Sequence, residues 1–287
     1  MRTRKPRPKE DFMSYLSAVF LGIVHGAADF FPISSSGHLS IFQHFLGVSS
    51  MTDEHLFFLF LLRLGALAAA VFACRSELRL ILFSASRPSE RKGKVNQKVV
   101  FGKRLGLLLL VGTAPLLVIL PFRTAIKSLF DSTFFVGCAM ILTGFLLFFF
   151  SRYTHGDKTE KNASLTDALL IGLSQAVSFF PGLSRTACSV TVGQGRGFSR
   201  KAAFSFSVLL SVPALLCSDF MTLVDVFSVG ISFSMLPRYL LGMIASGVSA
   251  YFAIHLMRRL SERIGFAGFT YYCWTTGCVS LILSLIR

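Results

Sequence analysis

Hydrophobic and polar positions alternate along this chain in blocks long enough to cross a lipid bilayer. Six stretches are almost wholly apolar: 56–74, 104–122, 133–151, 203–221, 238–256 and 266–286. A membrane-spanning helix needs about 20 such residues, so each predicts one span. Two further apolar stretches are interrupted. Tyr15–Leu46 is broken by Phe31-Pro32-Ile33-Ser34-Ser35-Ser36-Gly37-His38, and Leu165–Val192 by Phe180-Pro181-Gly182-Leu183-Ser184-Arg185-Thr186. Each break leaves a short helix-like arm on either side of a polar turn. That pattern predicts a hairpin that enters the membrane and returns on the same side. Irregular backbone at that depth has to be buried in protein or line a wet cavity. The expected fold is an all-α polytopic membrane protein, with six transmembrane helices and two re-entrant helical hairpins.

The two broken segments resemble each other. Leu21-Gly22-Ile23-Val24-His25 is matched by Ile171-Gly172-Leu173-Ser174-Gln175, and both continue to Phe-Phe-Pro, at Phe30–Pro32 and Phe179–Pro181. Each is followed by three spans. A repeat with an odd number of crossings is inverted relative to its partner, and such repeats place binding sites where their interrupted segments meet. The expected division is a basic tail over 1–14, a first repeat over 15–151 and a second over 152–287, in one integral membrane domain.

Composition agrees. Charged residues make up 15% of the chain and hydrophobic residues 53%; soluble domains carry roughly 25% charged residues, so there are too few here to cover a water-facing surface. The net charge of +15 lies mainly between the apolar runs. Lys and Arg number nine in 75–104 and three each in 152–164, 193–201 and 257–265. The predicted topology puts these loops on one side, which the positive-inside rule assigns to the cytoplasm; the basic N-terminal tail falls on the other. This distribution argues against nucleic acid as a partner. The basic start followed by an apolar run resembles a signal peptide, but the spans continue along the whole chain and no cleavage is expected. The six cysteines, Cys74, Cys138, Cys188, Cys217, Cys273 and Cys278, form no Cys-x-x-Cys pair and are expected as packing residues.

Ionisable residues inside membrane segments are costly and mark function by default. His25 and Asp29, four apart, share one helix face; they would hold a metal ion, handle a proton or fix the hairpin as a buried pair. Ser34, Ser35 and Ser36 with Gly37 offer hydroxyl and backbone donors to an anion. One serine is expected as a helix cap. His38 lies within reach of a neighbouring serine as acid or base. Arg185 needs an anionic partner, either Asp29 or a phosphate whose oxygens match its guanidinium fork; Ser184, Thr186 and Ser189 favour phosphate. Arg63 snorkels, pairs with Asp29 or reaches the same anion. A phosphate site inside a membrane protein implies a substrate with both phosphate and lipid.

These motifs resemble the undecaprenyl-diphosphatase family, also called bacitracin-resistance proteins. The resemblance rests on Gly22 to His38, ending in Pro-x-Ser-Ser-Ser-Gly-His, and on Asp167 to Gln175 continuing to Pro-Gly-x-Ser-Arg at Arg185. It extends through Gly65-Ala66-Leu67, Gly112-Thr113-Ala114-Pro115 and Phe204 to Pro213. It implies removal of one phosphate from undecaprenyl diphosphate, giving the carrier lipid of cell-wall synthesis, by a multi-pass protein of the bacterial inner membrane. Carried over by position, it implies Ser35 as nucleophile or phosphate ligand, His38 as acid or base, and Asp29 and Arg185 as catalytic residues. Ser34, Ser36, Gly182, Ser184 and Arg185 would bind the substrate. The family's divalent metal, magnesium or calcium, would fall to Asp29 and His25. Here the chain departs: relatives carry Glu or Gln, then Glu, where this chain has His25 and Asp29, and more often Gln or His at Arg63. Two other classes stand beside the phosphatase: a polyprenyl-phosphate carrier, since an inverted repeat suits alternating access, and, from this departure, a weakened relative that binds the lipid without hydrolysis. A homodimer is a further expected partner arrangement.

Overall fold

A computed structural model describes residues 13–46, 56–91, 94–130, 132–153, 156–229, 233–263 and 265–286; the basic tail lies almost wholly outside them. The first hairpin is α1 (Tyr15–Phe30) and α2 (Ser35–Leu46), followed by α3 (Leu56–Ala73). Next come α4 (Arg75–Ala85), a two-residue β-hairpin (Glu90–Arg91 with Lys94–Val95), α5 (Gln97–Thr113), α6 (Leu116–Ile119), α7 (Arg123–Leu129) and α8 (Thr133–Tyr153). The second hairpin is α9 (Leu165–Val177) and α10 (Arg185–Gly195), followed by α11 (Arg200–Val229), α12 (Leu236–Arg263) and α13 (Gly268–Ile286).

Among the described residues, five helical segments are long and apolar enough to span a membrane: Leu56–Ala73, Gln97–Ile119, Thr133–Phe150, Arg200–Ser228 and Phe233–Arg263. They cover five of the six predicted spans. The sixth is α13, whose 19 residues have the length to cross; Tyr271, Tyr272, Thr275 and Thr276 make its first half less apolar. The span predicted over 104–122 begins earlier and breaks within. Asn96 caps α5 through the N–H of Val99. Pro115 then prevents α5 from continuing, because it lacks an N–H and its ring restricts the residue before it. The basic stretch 75–104, expected as a loop, contains α4, which lies against α5 with Ser84 beside Gly102.

Each hairpin packs on a span from the other half of the chain: α1 on α12, and α9 on α5. The related glycines make both contacts. A Cβ on Gly22 would overlap the carbonyl of Gly242, and one on Gly172 the carbonyl of Gly112. With little hydrophobic drive between helices in lipid, such small residues allow the backbones to pack closely. The main core joins both halves, with Phe30, Leu105, Phe204, Phe206 and Ile254 buried in one cluster.

Candidate functional site

The hairpin turns are largely buried, so most of their polar groups need a partner within the protein. In the first turn, the N–H groups of Phe31, Ile33 and His38 donate to the carbonyls of Ala27, Phe31 and Ser34. Ser34 accepts the N–H of Gly37 at 3.1 Å, capping α2. In the second turn, Ser184 accepts the N–H of Ala187 at 3.2 Å, capping α10. Thr143 of α8 serves this turn twice: its hydroxyl donates to the carbonyl of Gly182 and accepts the N–H of Ser184. Gly182 has φ +93 and lies against the carbonyl of Val136, so a side chain there meets both strain and a clash.

The two turns touch. The Gly182 N–H donates to Ser36 Oγ at 3.2 Å, and Ser36 lies 3.1 Å from Ser34 Oγ. Arg185 Nη2 donates to Asp29 Oδ2 at 2.7 Å, and both side chains are largely buried. Ser35 Oγ donates to Asp29 Oδ1 at 3.3 Å. Thr186 Oγ1 donates to the Asp29 carbonyl at 3.0 Å. One carboxylate thus joins an arginine of the second hairpin to a serine of the first.

This cluster forms the polar end of a cavity of about 970 Å³. His25, Asp29, Ser35, Ser36, Arg63 and Arg185 line that end, and Leu110, Leu117, Phe179, Leu216 and Phe220 line much of the rest. Farther along the wall lie Arg123 and Asp225, ion-paired at 2.7 Å. The lining parts of α3, α5 and α11 lie toward the helix ends away from the Lys/Arg-rich segments.

Several predicted residues stand differently from expectation. Ser34 is the expected capping serine, and Ser184 caps α10; neither lines the cavity as a substrate-binding residue would. His38 does not bond Ser35: its Nδ1 faces the Ser34 carbonyl at 2.6 Å and its Nε2 the Tyr272 hydroxyl at 2.7 Å. The carbonyl can only accept, so Nδ1 carries the proton and Tyr272 donates to Nε2. The acceptor on Ser35 is Asp29, which its position in sequence did not suggest. His25 meets Ser246 at 3.2 Å, and Ser246 donates to the Leu62 carbonyl at 2.8 Å. His25 therefore donates from Nδ1 and keeps a lone pair on Nε2.

Arg63 donates to Ser218 at 3.3 Å and Thr222 at 3.1 Å; of its three alternatives, the pair with Asp29 is not formed. Asp219, next to Ser218, is buried, and neither of its carboxylate oxygens has a hydrogen-bond partner. Sequence reasoning passed over it, although it is an acid inside the apolar run 203–221. Among the described residues, no three of His, Cys, Asp and Glu gather as a metal-binding group.

Outside the cavity, Asp167 fastens the loop end of the second hairpin. It forms a capping box with Ser164 and bonds Lys158 and Arg196. Burial acts to raise its pKa, but the Lys158, Ser164 and Arg196 hydrogen bonds outweigh this and hold it at about 2.

The chain is 33% identical to an undecaprenyl-diphosphatase of Alkaliphilus metalliredigens, covering 96% of this chain and 100% of that protein. It is 32% identical to an undecaprenyl-diphosphatase of Methanosphaera stadtmanae, covering 96% and 99%. It is also 32% identical to undecaprenyl-diphosphatase 2 of Stutzerimonas stutzeri, covering 94% and 98%. The family model for bacitracin resistance protein BacA matches residues 18–279. With both hairpin turns and nearly every span inside that match, the chain belongs to the BacA bacitracin-resistance family.

Proposed function

We propose that this protein is an undecaprenyl-diphosphatase, releasing inorganic phosphate from undecaprenyl diphosphate and leaving undecaprenyl phosphate. The observation that carries this reading is the Ser35–Asp29–Arg185 chain at the polar end of an apolar cavity. The diphosphate lies at the hairpin turns, and the isoprenoid chain runs along the Leu and Phe lining. The halves 15–151 and 152–287 each contribute one turn.

Ser35 Oγ attacks the terminal phosphorus, and its proton passes to Asp29, which already accepts it as a hydrogen bond. The bond from that phosphorus to the bridging oxygen breaks, and the electron pair leaves with undecaprenyl phosphate. Asp29 passes that proton to the departing undecaprenyl phosphate. Water then attacks the phosphoserine phosphorus and gives a proton to Asp29; the Oγ–P bond breaks with its electron pair returning to Ser35, Asp29 returns the proton to Ser35 Oγ, and inorganic phosphate departs. The Arg185 fork offsets negative charge that builds on the phosphorus oxygens. Ser36, held by the Gly182 N–H, keeps the two turns in register. His38 acts as a positioning residue, bracing the Ser34 carbonyl against Tyr272.

The protein resides in the bacterial inner membrane. The Lys/Arg-rich segments lie in the cytoplasm, and the cavity therefore faces outward. The test uses the full chain in detergent with undecaprenyl diphosphate. Phosphate release is expected from the wild type and not from Ser35→Ala; equal rates in the two would refute the nucleophile, and no release from either would refute the enzyme.

A further inference from the structure

The charges around the cavity do not resemble a cage for a divalent cation. Asp29 is the carboxylate at its polar end, and both of its oxygens are already hydrogen-bonded, one to Arg185 and one to Ser35. His25 offers a single nitrogen. Magnesium and calcium prefer several oxygen ligands and sites rich in carboxylate. Along the lining stand three arginines, Arg63, Arg123 and Arg185, and two carboxylates, Asp29 and Asp225, each already ion-paired with an arginine. A wall whose carboxylates are paired and which presents guanidinium groups suits an anion better than a metal ion.

Arg63 is the unusual member of that wall. It is a partly buried cation in an apolar helix, yet among the described residues its guanidinium bonds only the neutral hydroxyls of Ser218 and Thr222. An arginine has five N–H donors, and both of these bonds come from Nη1. On the neighbouring helix α11, Asp219 is the complementary anomaly, a buried carboxylate whose two oxygens lack a hydrogen-bond partner. Arg63 bonds Ser218 and Thr222, which flank Asp219 on α11, yet among the described residues neither Asp219 nor Asp29 forms an ion pair with it. Asp219 thus supplies a counter-charge to Arg63 without occupying its donors. Arg63 and Arg185 both line the polar end of the cavity.

We propose that two guanidinium groups, Arg185 and Arg63, grip the diphosphate without a divalent cation, and that Asp219 is the fixed counter-charge retaining Arg63 in the wall. The proposal rests on the diphosphatase reading. It assigns Arg63 to substrate binding and Asp219 to positioning.

The experiment uses the purified full chain, undecaprenyl diphosphate and excess chelator, with parallel arms in magnesium, calcium and manganese. Phosphate release should change less than about twofold between chelator and metal. Manganese paramagnetic resonance should show no ion bound by the substrate-free protein. Arg63→Gln should lower kcat/KM about 10- to 100-fold, the range of a lost charge-assisted hydrogen bond. Arg63→Lys should recover part of that loss. Asp219→Asn should raise KM more than it changes kcat, because it disturbs Arg63 and not the reacting atoms. Loss of release in chelator, with recovery on adding metal, would overturn the metal-free clamp. An unchanged kcat/KM in well-folded Arg63→Gln, checked by a single size-exclusion peak, would overturn the role of Arg63. A wild type that releases no phosphate in any arm defeats the diphosphatase reading instead. Binding of radiolabelled lipid diphosphate in chelator then decides the clamp: weakening of about tenfold or more in Arg63→Gln sustains it, and unchanged binding overturns it.

Discussion

Arg185, the first residue of α10, reaches Asp29 near the end of α1 at 2.7 Å, joining hairpins that are 156 residues apart in the chain. Breaking this pair by neutralising either member would strand a charge in a largely buried site. The position also calls for a guanidinium, since a lysine would keep the charge and lose the planar fork. Arg185→Lys should reduce kcat/KM for phosphate release about 100-fold, near 3 kcal/mol of transition-state stabilisation, while the protein stays folded. Steady-state kinetics with a thermal melt in detergent checks both parts.

The serines of the first turn should separate by function. Ser35 faces Asp29 inside the cavity, so Ser35→Ala should abolish release with little change in melting temperature. Ser36 holds the Gly182 N–H. Ser36→Ala leaves that donor unpaired at about 1–3 kcal/mol and should lower the melting temperature as well as the rate. Ser34→Ala removes the cap of α2 and should cost about 1 kcal/mol, again visible in the melt.

Close backbone approach should make two glycines intolerant of even one added carbon. A Cβ on Gly172 meets the Gly112 backbone, and one on Gly22 the Gly242 backbone. Each Ala substitution forces helices apart, at about 1–3 kcal/mol. The melting temperature should fall for both variants. Gly268→Ala, which has open space around it, should not change it.

Asp167 predicts the response to acid. Its folded pKa, about 2, lies below its ordinary value of 3.8. The charged form is therefore the one the fold stabilises. That contribution is complete above pH 4 and disappears as pH falls through 2. Melting temperature measured from pH 6 down to pH 2 should drop over this window in the wild type. The drop should be smaller in Asp167→Asn, which starts lower because Lys158 and Arg196 lose their shared partner.

Much of this architecture was readable along the chain. The spans were visible because a lipid-facing helix must be apolar for its full length. The hairpin turns were visible because proline, glycine and serine interrupt an otherwise continuous run. Ser35, Asp29 and Arg185 were identifiable as polar groups in an apolar setting. The helix α4 was less readable, because a basic segment between spans looks like a loop until its contact with α5 is seen. Asp219 and Thr143 were passed over as single polar residues within apolar runs, and a position alone does not reveal a partner.

By itself, the sequence determined which segments lie in the membrane, where they break and which residue types stand at the breaks, because hydropathy and backbone chemistry act over neighbouring positions. The tertiary structure decided which of those residues meet. It turned His38 toward Tyr272, placed Asp29 between Ser35 and Arg185, and bonded Arg63 to Ser218 and Thr222 on either side of Asp219. These pairings depend on how helices from the two halves cross, through contacts between residues far apart in the chain.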